Sequence, residues 1–250
     1  MTFIVFLCGL LRATNLTIIM LDLTRFQALT FDCYGTMIDW ESGIFSALRP
    51  ILAAHGKMLS DSALLALYAE LELAAEQGEY LRYRDVLQSV VRGLGERLRF
   101  TPTDAELRSL PESVATWQPF PDTVEALRKL KSRYQLAVIS NIDDDLFAAT
   151  APKLGVAFEQ IITAQQAGCY KPCMNIFRLA EKRIGVSREH WLHIGQSIYH
   201  DVIPAQSLGL ATVWVNRRSP RPGAGAAKAA TATPDLEVPD LQTLAKMAEA

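Results

Sequence analysis

The stretch that decides the fold is FQALTFDCYGT, at residues 26–36. Residues 26–31 form an apolar run without helical periodicity, which predicts a short buried strand. Asp32 follows this strand directly, and Gly35 then favours a tight turn. A strand that ends in this way exposes a carboxylate among backbone N–H groups, so Asp32 is a candidate reactive residue.

The rest of the chain divides into a helical block and an alternating region. Residues 42–117 carry apolar side chains at helical spacing and predict three or four amphipathic helices without a strand. From Pro119 the pattern alternates, with predicted strands at 135–139, 160–163, 191–194 and 211–215 and predicted helices at 122–132, 144–154, 173–184, 198–208 and 240–249. Such alternation is typical of a parallel sheet with helices on both faces.

We therefore predict an α/β protein with a doubly wound, Rossmann-like parallel sheet and an inserted helical cap. Residues 20–40 and 119–250 are assigned to the core domain, 41–118 to the cap and 1–19 to an N-terminal extension. Ligands of open α/β sheets bind beyond the carboxyl ends of the strands. An insertion after the first strand would cover that site, and its closure would exclude water.

Composition excludes several classes of protein. Half of the 250 residues are apolar and 21% are charged, which is typical of a globular chain. The net charge of −2 gives no reason to expect nucleic acid or a membrane surface as partner. Four cysteines do not make a disulfide scaffold, and Cys169 and Cys173 lack a second pair at zinc spacing. We therefore expect both to be ordinary thiols.

The N-terminal residues match neither a signal peptide nor a membrane helix. No Lys or Arg precedes the apolar run at 3–10, and Arg12 and Asn15 interrupt the apolar stretch that follows. We interpret residues 1–19 as a dispensable extension, with a short anchor or a packing segment as alternatives. We expect a cytoplasmic protein and consider a homodimer, although the sequence does not fix the oligomeric state.

Four polar clusters fall at the carboxyl ends of predicted strands. They are Asp32 with Thr36, Ser140-Asn141, Lys171, and Gln196-Ser197 with His200-Asp201. A strand-end Asp can attack as a nucleophile and form an ester that water then cleaves. A neighbouring Lys keeps such an Asp ionised, and Ser and Asn at a helix start donate hydrogen bonds to an anion.

Each cluster alone also has a structural interpretation. A lone strand-end Asp such as Asp32 is more often a cap or turn former, and Ser140-Asn141 alone is most simply a helix N-cap. Lys171 precedes a proline, which is typical of a solvated surface residue, and Asp201 favours the start of its helix. The occurrence of all four clusters, in order, at strand ends of one sheet favours a catalytic site.

The sequence resembles the haloacid dehalogenase superfamily in four motifs. These are FDCYGTMIDW at 31–40, VISN at 138–141, YKP at 170–172 and HIGQSIYHD at 193–201. The resemblance covers about residues 25–245 and includes the helical insertion where the family carries its cap. The Asp-x-Tyr-Gly-Thr form of the first motif is most similar to the type II 2-haloacid dehalogenases, which hydrolyse 2-haloalkanoic acids to 2-hydroxyalkanoic acids and halide.

The resemblance implies roles for four catalytic residues. Asp32 matches the nucleophile that displaces halide from the α-carbon, and Thr36 matches the threonine that supports its loop. Lys171 matches the lysine paired with the nucleophile, and Asp201 the acidic residue near the hydrolytic water. Substrate contacts are implied for Cys33, Tyr34, Ser140, Asn141, Gln196 and Ser197. The implied substrate is a small carboxylic acid, and no metal or cofactor is implied.

Two departures from the phosphatases of the superfamily bear on the reaction. Those enzymes carry a second Asp two residues after the nucleophile, and this position is Tyr34 here. They also carry a Mg²⁺-binding Asp five residues before the last acidic residue, and this position is Gln196. Because a neutral amide is a weaker ligand for a hard cation, both departures favour metal-independent carbon–halogen hydrolysis.

Three further departures separate the chain from the dehalogenases themselves. The cap arginine beside the halogen has no counterpart in SDSALLALYAELE, at residues 60–72. A tyrosine of the family is Phe177 here, and an asparagine of the last motif is Ile198. These replacements predict a more apolar pocket. Arg82 or Arg84 is a candidate substitute for the missing arginine, although both are as readily surface residues.

The leading hypothesis is therefore a hydrolase of the 2-haloacid dehalogenase type. A small-molecule phosphatase on the same fold is the first alternative, against which Tyr34 and Gln196 argue. A non-catalytic protein that binds a small acid is the second, and it has no need of a nucleophile such as Asp32.

Overall fold

A computed structural model describes residues 21–217 and 225–249. The strands are β1 (Ala28–Phe31), β2 (Gln135–Ser140), β3 (Gln160–Thr163), β4 (Trp191–Gly195), β5 (Ala211–Val215) and β6 (Leu236–Val238). The α-helices are α1 (Trp40–Ala54), α2 (Asp61–Ala75), α3 (Tyr83–Leu98), α4 (Asp104–Ser113), α5 (Thr123–Lys131), α6 (Asp144–Thr150), α7 (Ala164–Ala167), α8 (Met174–Ile184), α9 (Ile203–Ser207) and α10 (Leu241–Glu249). The predicted extension at 1–19 lies outside the described residues.

The six strands form one sheet in the order β3-β2-β1-β4-β5-β6, and every neighbouring pair is parallel. β1 lies in the middle of this sheet, where Leu29 pairs with Leu136 on one side and Leu192 on the other. All four β1 residues are buried, as expected for a strand covered on both faces. The predicted α/β class with a parallel sheet is confirmed.

The carboxyl ends of the strands face the helical insertion between β1 and α5. Each of its first helices begins at a residue that caps it, because the side chains of Asp39 and Ser60 accept hydrogen bonds from the backbone of the first turn. Thr103 and Glu106 form a reciprocal capping box at the start of α4. The start of α3 is held differently, because the backbone N–H groups of Tyr83 and Arg84 donate to the side chain of Asp143 at 3.0 Å each.

The hydrophobic core is continuous from the sheet into this insertion. One cluster of buried side chains contains Phe31 of β1 together with Leu48 of α1 and Val90 of α3. A second cluster covers the opposite face of the sheet and contains Ala28 and Trp191. Because side chains alternate along a strand, Ala28 belongs to one cluster and Leu29 and Phe31 to the other. The insertion packs against the cluster that contains Leu29 and Phe31.

The structure differs from the predicted elements in four places. β6 and the single turn α7 were not predicted, because each is too short to carry a periodic pattern. The helix predicted at 144–154 ends at Thr150, and Pro152 lies in the 3₁₀ turn that follows. The helix predicted at 198–208 begins as a π-helical turn, Ile198–Val202, and continues as α9. Within the described ranges, no helix is both long and apolar enough to cross a membrane.

Candidate active site

Asp32 lies at the carboxyl end of β1, at the floor of a cavity between the sheet and the insertion. Its backbone N–H donates to the carbonyl oxygen of Ile194 at 2.9 Å, which continues the pairing of β1 with β4. The chain then turns through Gly35, whose φ of +94° is rarely adopted by residues with a side chain. Thr36 Oγ1 donates to Asp32 Oδ2 at 2.8 Å and accepts from the Gln196 N–H at 2.8 Å. The Asp32 carboxylate is thereby held in one orientation.

Lys171 joins the two buried carboxylates of the site. Its Nζ donates to Asp32 Oδ1 at 2.9 Å, to Asp201 Oδ1 at 2.6 Å and to the Ile139 carbonyl oxygen at 2.9 Å. All three ammonium protons therefore have acceptors. The structure brings Asp32, Thr36, Lys171 and Asp201 together beyond the carboxyl ends of the strands, with Lys171 in the connection between α7 and α8.

Asp201 is fully buried and its hydrogen bonds are used inside the protein. Besides Lys171, Oδ1 accepts from His193 Nε2 at 3.3 Å, and Oδ2 accepts from the Ser197 N–H at 3.1 Å. Gly195 permits this approach, because a Cβ there would lie 2.4 Å from Asp201 Cγ. Asp201 thus holds Lys171 and does not itself line the cavity.

The charges of this group divide unequally between the two carboxyls. Burial raises the pKa of Asp32, although Lys171 and Thr36 oppose this shift. At Asp201 the effect of burial is outweighed by the charge of Lys171 and by hydrogen bonds, so its pKa lies well below the usual range. Burial alone would lower the pKa of Lys171, but the two carboxylates raise it to about 12. Lys171 and Asp201 therefore remain ionised, and Asp32 is the more readily protonated carboxylate.

Ser140 and Asn141, at the end of β2, have different surroundings. Ser140 Oγ is fully buried and has no hydrogen-bond partner among the described residues, yet the residue lines the cavity. The Asn141 amide instead exchanges two hydrogen bonds with the backbone of Lys171, at 2.7 and 3.3 Å. Ser140 is therefore free to bind a ligand, whereas Asn141 fixes the segment that carries the lysine.

Tyr34, Gln196 and Ser197 also line the cavity. The Tyr34 hydroxyl lies 2.8 Å from Thr150 Oγ1 and so links the site to α6. No group of three or more His, Cys, Asp or Glu residues suited to a metal ion occurs in the part of the chain that the structure describes. Moreover, the Lys171 ammonium occupies the space between the Asp32 and Asp201 carboxylates. These residues do not fit the magnesium ion used by phosphatases of this fold.

The cysteines depart from the sequence-based expectations. Cys33 was a candidate substrate contact, but its side chain is fully buried in the core and does not line the cavity. Cys169 and Cys173 were expected to be free thiols, and this was wrong because they form a disulfide that brackets Lys171. Their Cα atoms are 6.2 Å apart, a separation that the chain reversal at this turn creates and that residue spacing alone could not reveal.

The wall contributed by the insertion carries acidic groups that sequence reasoning did not predict. Glu72 and Glu76 of the α2 segment line the cavity together with Tyr83 of α3. Glu72 Oε1 accepts hydrogen bonds from the Tyr68 hydroxyl at 2.9 Å and from the Tyr83 hydroxyl at 2.6 Å. Burial raises the pKa of Glu72 to about 7, although both tyrosines oppose the shift. Phe177, expected in the pocket, instead packs against His193 behind the sheet.

Neither candidate arginine replaces the missing cap arginine. Arg82 and Arg84 donate to the two oxygens of Asp145, at 2.9 and 2.7 Å, and Arg82 also lies 3.6 Å from Asp143. Neither lines the cavity. Both arginines therefore connect the start of α3 to α6 at the rim of the cavity. They are surface residues and do not contact the cavity.

His200 is a cavity residue to which sequence reasoning gave no role. Its Nδ1 lies 3.2 Å from Ser197 Oγ, and its Nε2 is buried without a partner among the described residues. Burial lowers the pKa of His200 to about 4, so the imidazole is neutral near pH 7. The one indication of a role for His200 in the sequence is that it directly precedes Asp201. Only the three-dimensional structure shows that its ring borders the cavity.

The sequence is similar to known hydrolases. A family model described as haloacid dehalogenase-like hydrolase matches residues 26–209. An (S)-2-haloacid dehalogenase of Pseudomonas fluorescens is 27% identical over 199 residues, which cover 77% of this chain and 86% of that enzyme. A glyceraldehyde 3-phosphate phosphatase of Methanothermobacter thermautotrophicus is 30% identical over 149 residues, 58% of this chain and 65% of that enzyme.

Solved structures share the fold over most of the chain. The structure of an L-2-haloacid dehalogenase from Xanthobacter autotrophicus with chloropropionic acid covalently bound superposes with a TM-score of 0.73. The superposition covers 90% of this chain and 98% of that one, at 20% sequence identity.

Proposed function

The chain belongs to the haloacid dehalogenase-like hydrolases, and from that membership we propose that it hydrolyses a 2-haloalkanoic acid to a 2-hydroxyalkanoic acid and halide. The observation that carries the proposal is the buried contact of 2.9 Å between Lys171 Nζ and Asp32 Oδ1, at the floor of the cavity. It gives a carboxylate nucleophile a fixed orientation and a permanent positive charge beside it.

In the first step an Asp32 oxygen attacks C2 of the substrate. The carbon–halogen bond breaks as the new carbon–oxygen bond forms, so halide leaves and an ester of Asp32 remains. Halide needs no proton to leave, which suits a site with Tyr34 in place of an acid. Ser140 Oγ is the free donor on the core side for the substrate carboxylate.

In the second step water attacks the carboxyl carbon of Asp32 and the acyl–oxygen bond of the ester breaks. The 2-hydroxy acid leaves with an oxygen that came from Asp32, and water restores the carboxylate. We propose that His200 Nε2 accepts a proton from this water and then donates it to the alkoxide oxygen of the leaving hydroxy acid, because it is a neutral, unpaired base at the cavity. Asp201 acts through Lys171, which it holds in place at 2.6 Å.

The division of the chain is part of the proposal. Residues 41–118 act as the cap over a core domain formed by residues 20–40 and 119–250. Arg82 and Arg84, which pair with Asp145 across the rim, stabilise the cap in the closed position. Closure excludes water from the site during the first step, so that water does not compete with the Asp32 carboxylate for C2 of the substrate.

We further propose that the protein acts in the cytoplasm, as a monomer or homodimer, without nucleic acid or membrane as partner. The net charge of −2 supports the absence of polyanionic partners. The disulfide between Cys169 and Cys173 is less usual in that compartment. Cell fractionation with alkylation of free thiols would test the location, and sedimentation would test the assembly.

The proposed function is tested by halide release from a panel of 2-chloro and 2-bromo acids of increasing chain length. We expect halide release from at least one acid and none by the Asp32→Asn variant, whose side chain is nearly isosteric but a poor nucleophile. A parallel panel of phosphate esters, with and without Mg²⁺, tests the alternative. Phosphate release without halide release would favour the phosphatase.

A further inference from the structure

Two carboxyl groups of the insertion face the same cavity as the nucleophile. Glu72 and Glu76 are four residues apart, so they lie on one face of α2 and its C-terminal cap, one turn from each other. Tyr68 and Tyr83 donate only to Oε1 of Glu72. Oε2 of Glu72 and the carboxyl group of Glu76 have no hydrogen-bond donor among the described residues. Three carboxyl oxygens on this wall are thus available to a ligand.

The opposite wall carries an independent sign of a ligand. Ser140 Oγ is fully buried, has no partner among the described residues and borders this cavity. A buried hydroxyl without a hydrogen bond is costly unless a ligand satisfies it. The cavity therefore has a donor for an anionic group on its core side and acceptors on its cap side.

The charge of the cavity lining is unbalanced. Within the described part of the chain, Lys171 is the sole lysine or arginine that lines it, and both Asp32 and Asp201 already share this charge. Lys171 opposes the rise of the Glu76 pKa, but burial and the neighbouring Glu72 outweigh its effect. Burial raises the pKa of both glutamates, and the proximity of Glu72 adds to the shift at Glu76. A cationic group on a ligand would favour the ionised form of both glutamates and so lower their pKa values.

We propose that Glu72 and Glu76 select substrates whose side chain carries a protonated amine, so that the favoured substrate is an amino-substituted 2-halo acid. This inference rests on the proposed function for the acid end of the substrate, which Ser140 binds. The ammonium group lies against the cap and donates hydrogen bonds to Glu72 Oε2 and to Glu76. A simple alkyl acid leaves these carboxyls unpaired and binds more weakly.

Binding of products tests this selection without any turnover. The two ligands are 3-amino-2-hydroxypropanoate and 2-hydroxybutanoate, which differ by an ammonium in place of a methyl group. Isothermal titration of the wild-type protein should show roughly tenfold or greater preference for the amine, as expected for a charge-assisted hydrogen bond. The preference should shrink towards one in Glu72→Gln and in Glu76→Gln. Equal binding of the two ligands by wild type, or binding of neither, would overturn the inference.

Turnover of the corresponding chloro acids separates this inference from the proposed function. Chloride release is measured from 3-amino-2-chloropropanoate and 2-chlorobutanoate, and the ratio of their kcat/KM values is compared between variants. Release from both acids at equal rates would overturn the amine preference and leave the dehalogenase intact. Preferential binding of the amine product without chloride release would instead overturn the dehalogenase and leave the amine selection standing.

A matched control removes an acidic group from the same segment without touching the cavity. Glu79 is exposed and does not line the site. Glu79→Gln should keep the wild-type preference for the amine in both assays. Loss of the preference in this variant as well would point to the overall charge of the segment and would overturn the assignment to Glu72 and Glu76.

A neutral analogue tests the requirement for a positive charge. If chloride release from 2-chloro-3-hydroxypropanoate has the same kcat/KM as release from 3-amino-2-chloropropanoate, that requirement is overturned.

Discussion

Lys171 Nζ lies 2.9 Å from Asp32 Oδ1, and the lysine side chain is almost completely buried. Since Asp201 Oδ1 lies 2.6 Å from the same ammonium group, one positive charge serves two carboxylates. Asp32 therefore shares the Lys171 ammonium group with Asp201, which lies closer to it. This sharing explains why burial still raises the pKa of Asp32 while the pKa of Asp201 is lowered.

Lys171→Met should impair both folding stability and catalysis. It leaves two buried carboxylates without a cation, and the loss of one partner from a buried pair typically costs about 3–5 kcal/mol. We expect a lower denaturation midpoint and a fall in kcat of roughly 100-fold or more. Lys246→Met, on an exposed position of α10, is the control. A Lys171→Met enzyme with normal kcat would show that the ammonium does not support the nucleophile.

Thr36→Val should move the pH dependence of halide release. Asp32 must be ionised to attack, and its raised pKa places the acid limb of kcat/KM above the value of about 3.9 for an ordinary aspartate. The Thr36 hydroxyl favours the ionised form through its 2.8 Å bond. Its removal should therefore shift the acid limb to higher pH. The exposed Thr116→Val variant should follow the wild-type profile, and an unmoved limb in Thr36→Val would contradict the assignment.

His200→Gln should separate the two steps of the reaction. Formation of the ester does not need the imidazole, so a burst of halide equal to the enzyme concentration should remain. Steady-state turnover should then fall by roughly 10²–10⁴-fold, as expected for loss of a general base. His190→Gln is the control, since its Nδ1 contacts the Arg25 carbonyl oxygen away from the cavity. Normal steady-state turnover in His200→Gln would exclude His200 as the base.

Chelation of divalent metals should leave turnover unchanged. The Lys171 ammonium lies between the carboxylates of Asp32 and Asp201, and Gln196 offers a neutral amide. We expect the same kcat before and after exhaustive EDTA treatment, with no gain on addition of Mg²⁺. Loss of activity that Mg²⁺ restores would contradict the metal-free mechanism and favour the phosphatase.

The core of the fold and the residues at the floor of the cavity follow from local sequence patterns. Apolar runs that alternate with amphipathic helices define a parallel sheet, and polar residues at the ends of these runs must then meet at one edge. Asp32, Lys171 and Asp201 were placed in this way although 139 residues separate the first two. β6 was missed because its three residues lie next to a segment rich in Ala, Gly and Pro.

The upper wall of the site could not be derived by the same reasoning. The rule that residues following parallel strands meet at one edge of the sheet does not apply to a helical insertion. Which face of α2 meets the cavity depends on how the helices pack. Glu72 and Glu76 did leave a signal, since two acidic residues at helical spacing interrupt an apolar segment. The disulfide between Cys169 and Cys173 and the unpaired Nε2 of His200 depend on distances that residue spacing does not determine.

The covalent ester on Asp32 is the central claim, and a single turnover in ¹⁸O-water tests it most directly. Enzyme in excess over a 2-halo acid substrate is quenched after one turnover, and mass spectrometry locates the label. Under the proposed mechanism the hydroxyl oxygen of the first product comes from Asp32 and is unlabelled, while ¹⁸O appears in the Asp32 carboxylate. A labelled hydroxyl in that first product, with an unlabelled Asp32, would mean that water attacks the substrate directly and would contradict the mechanism.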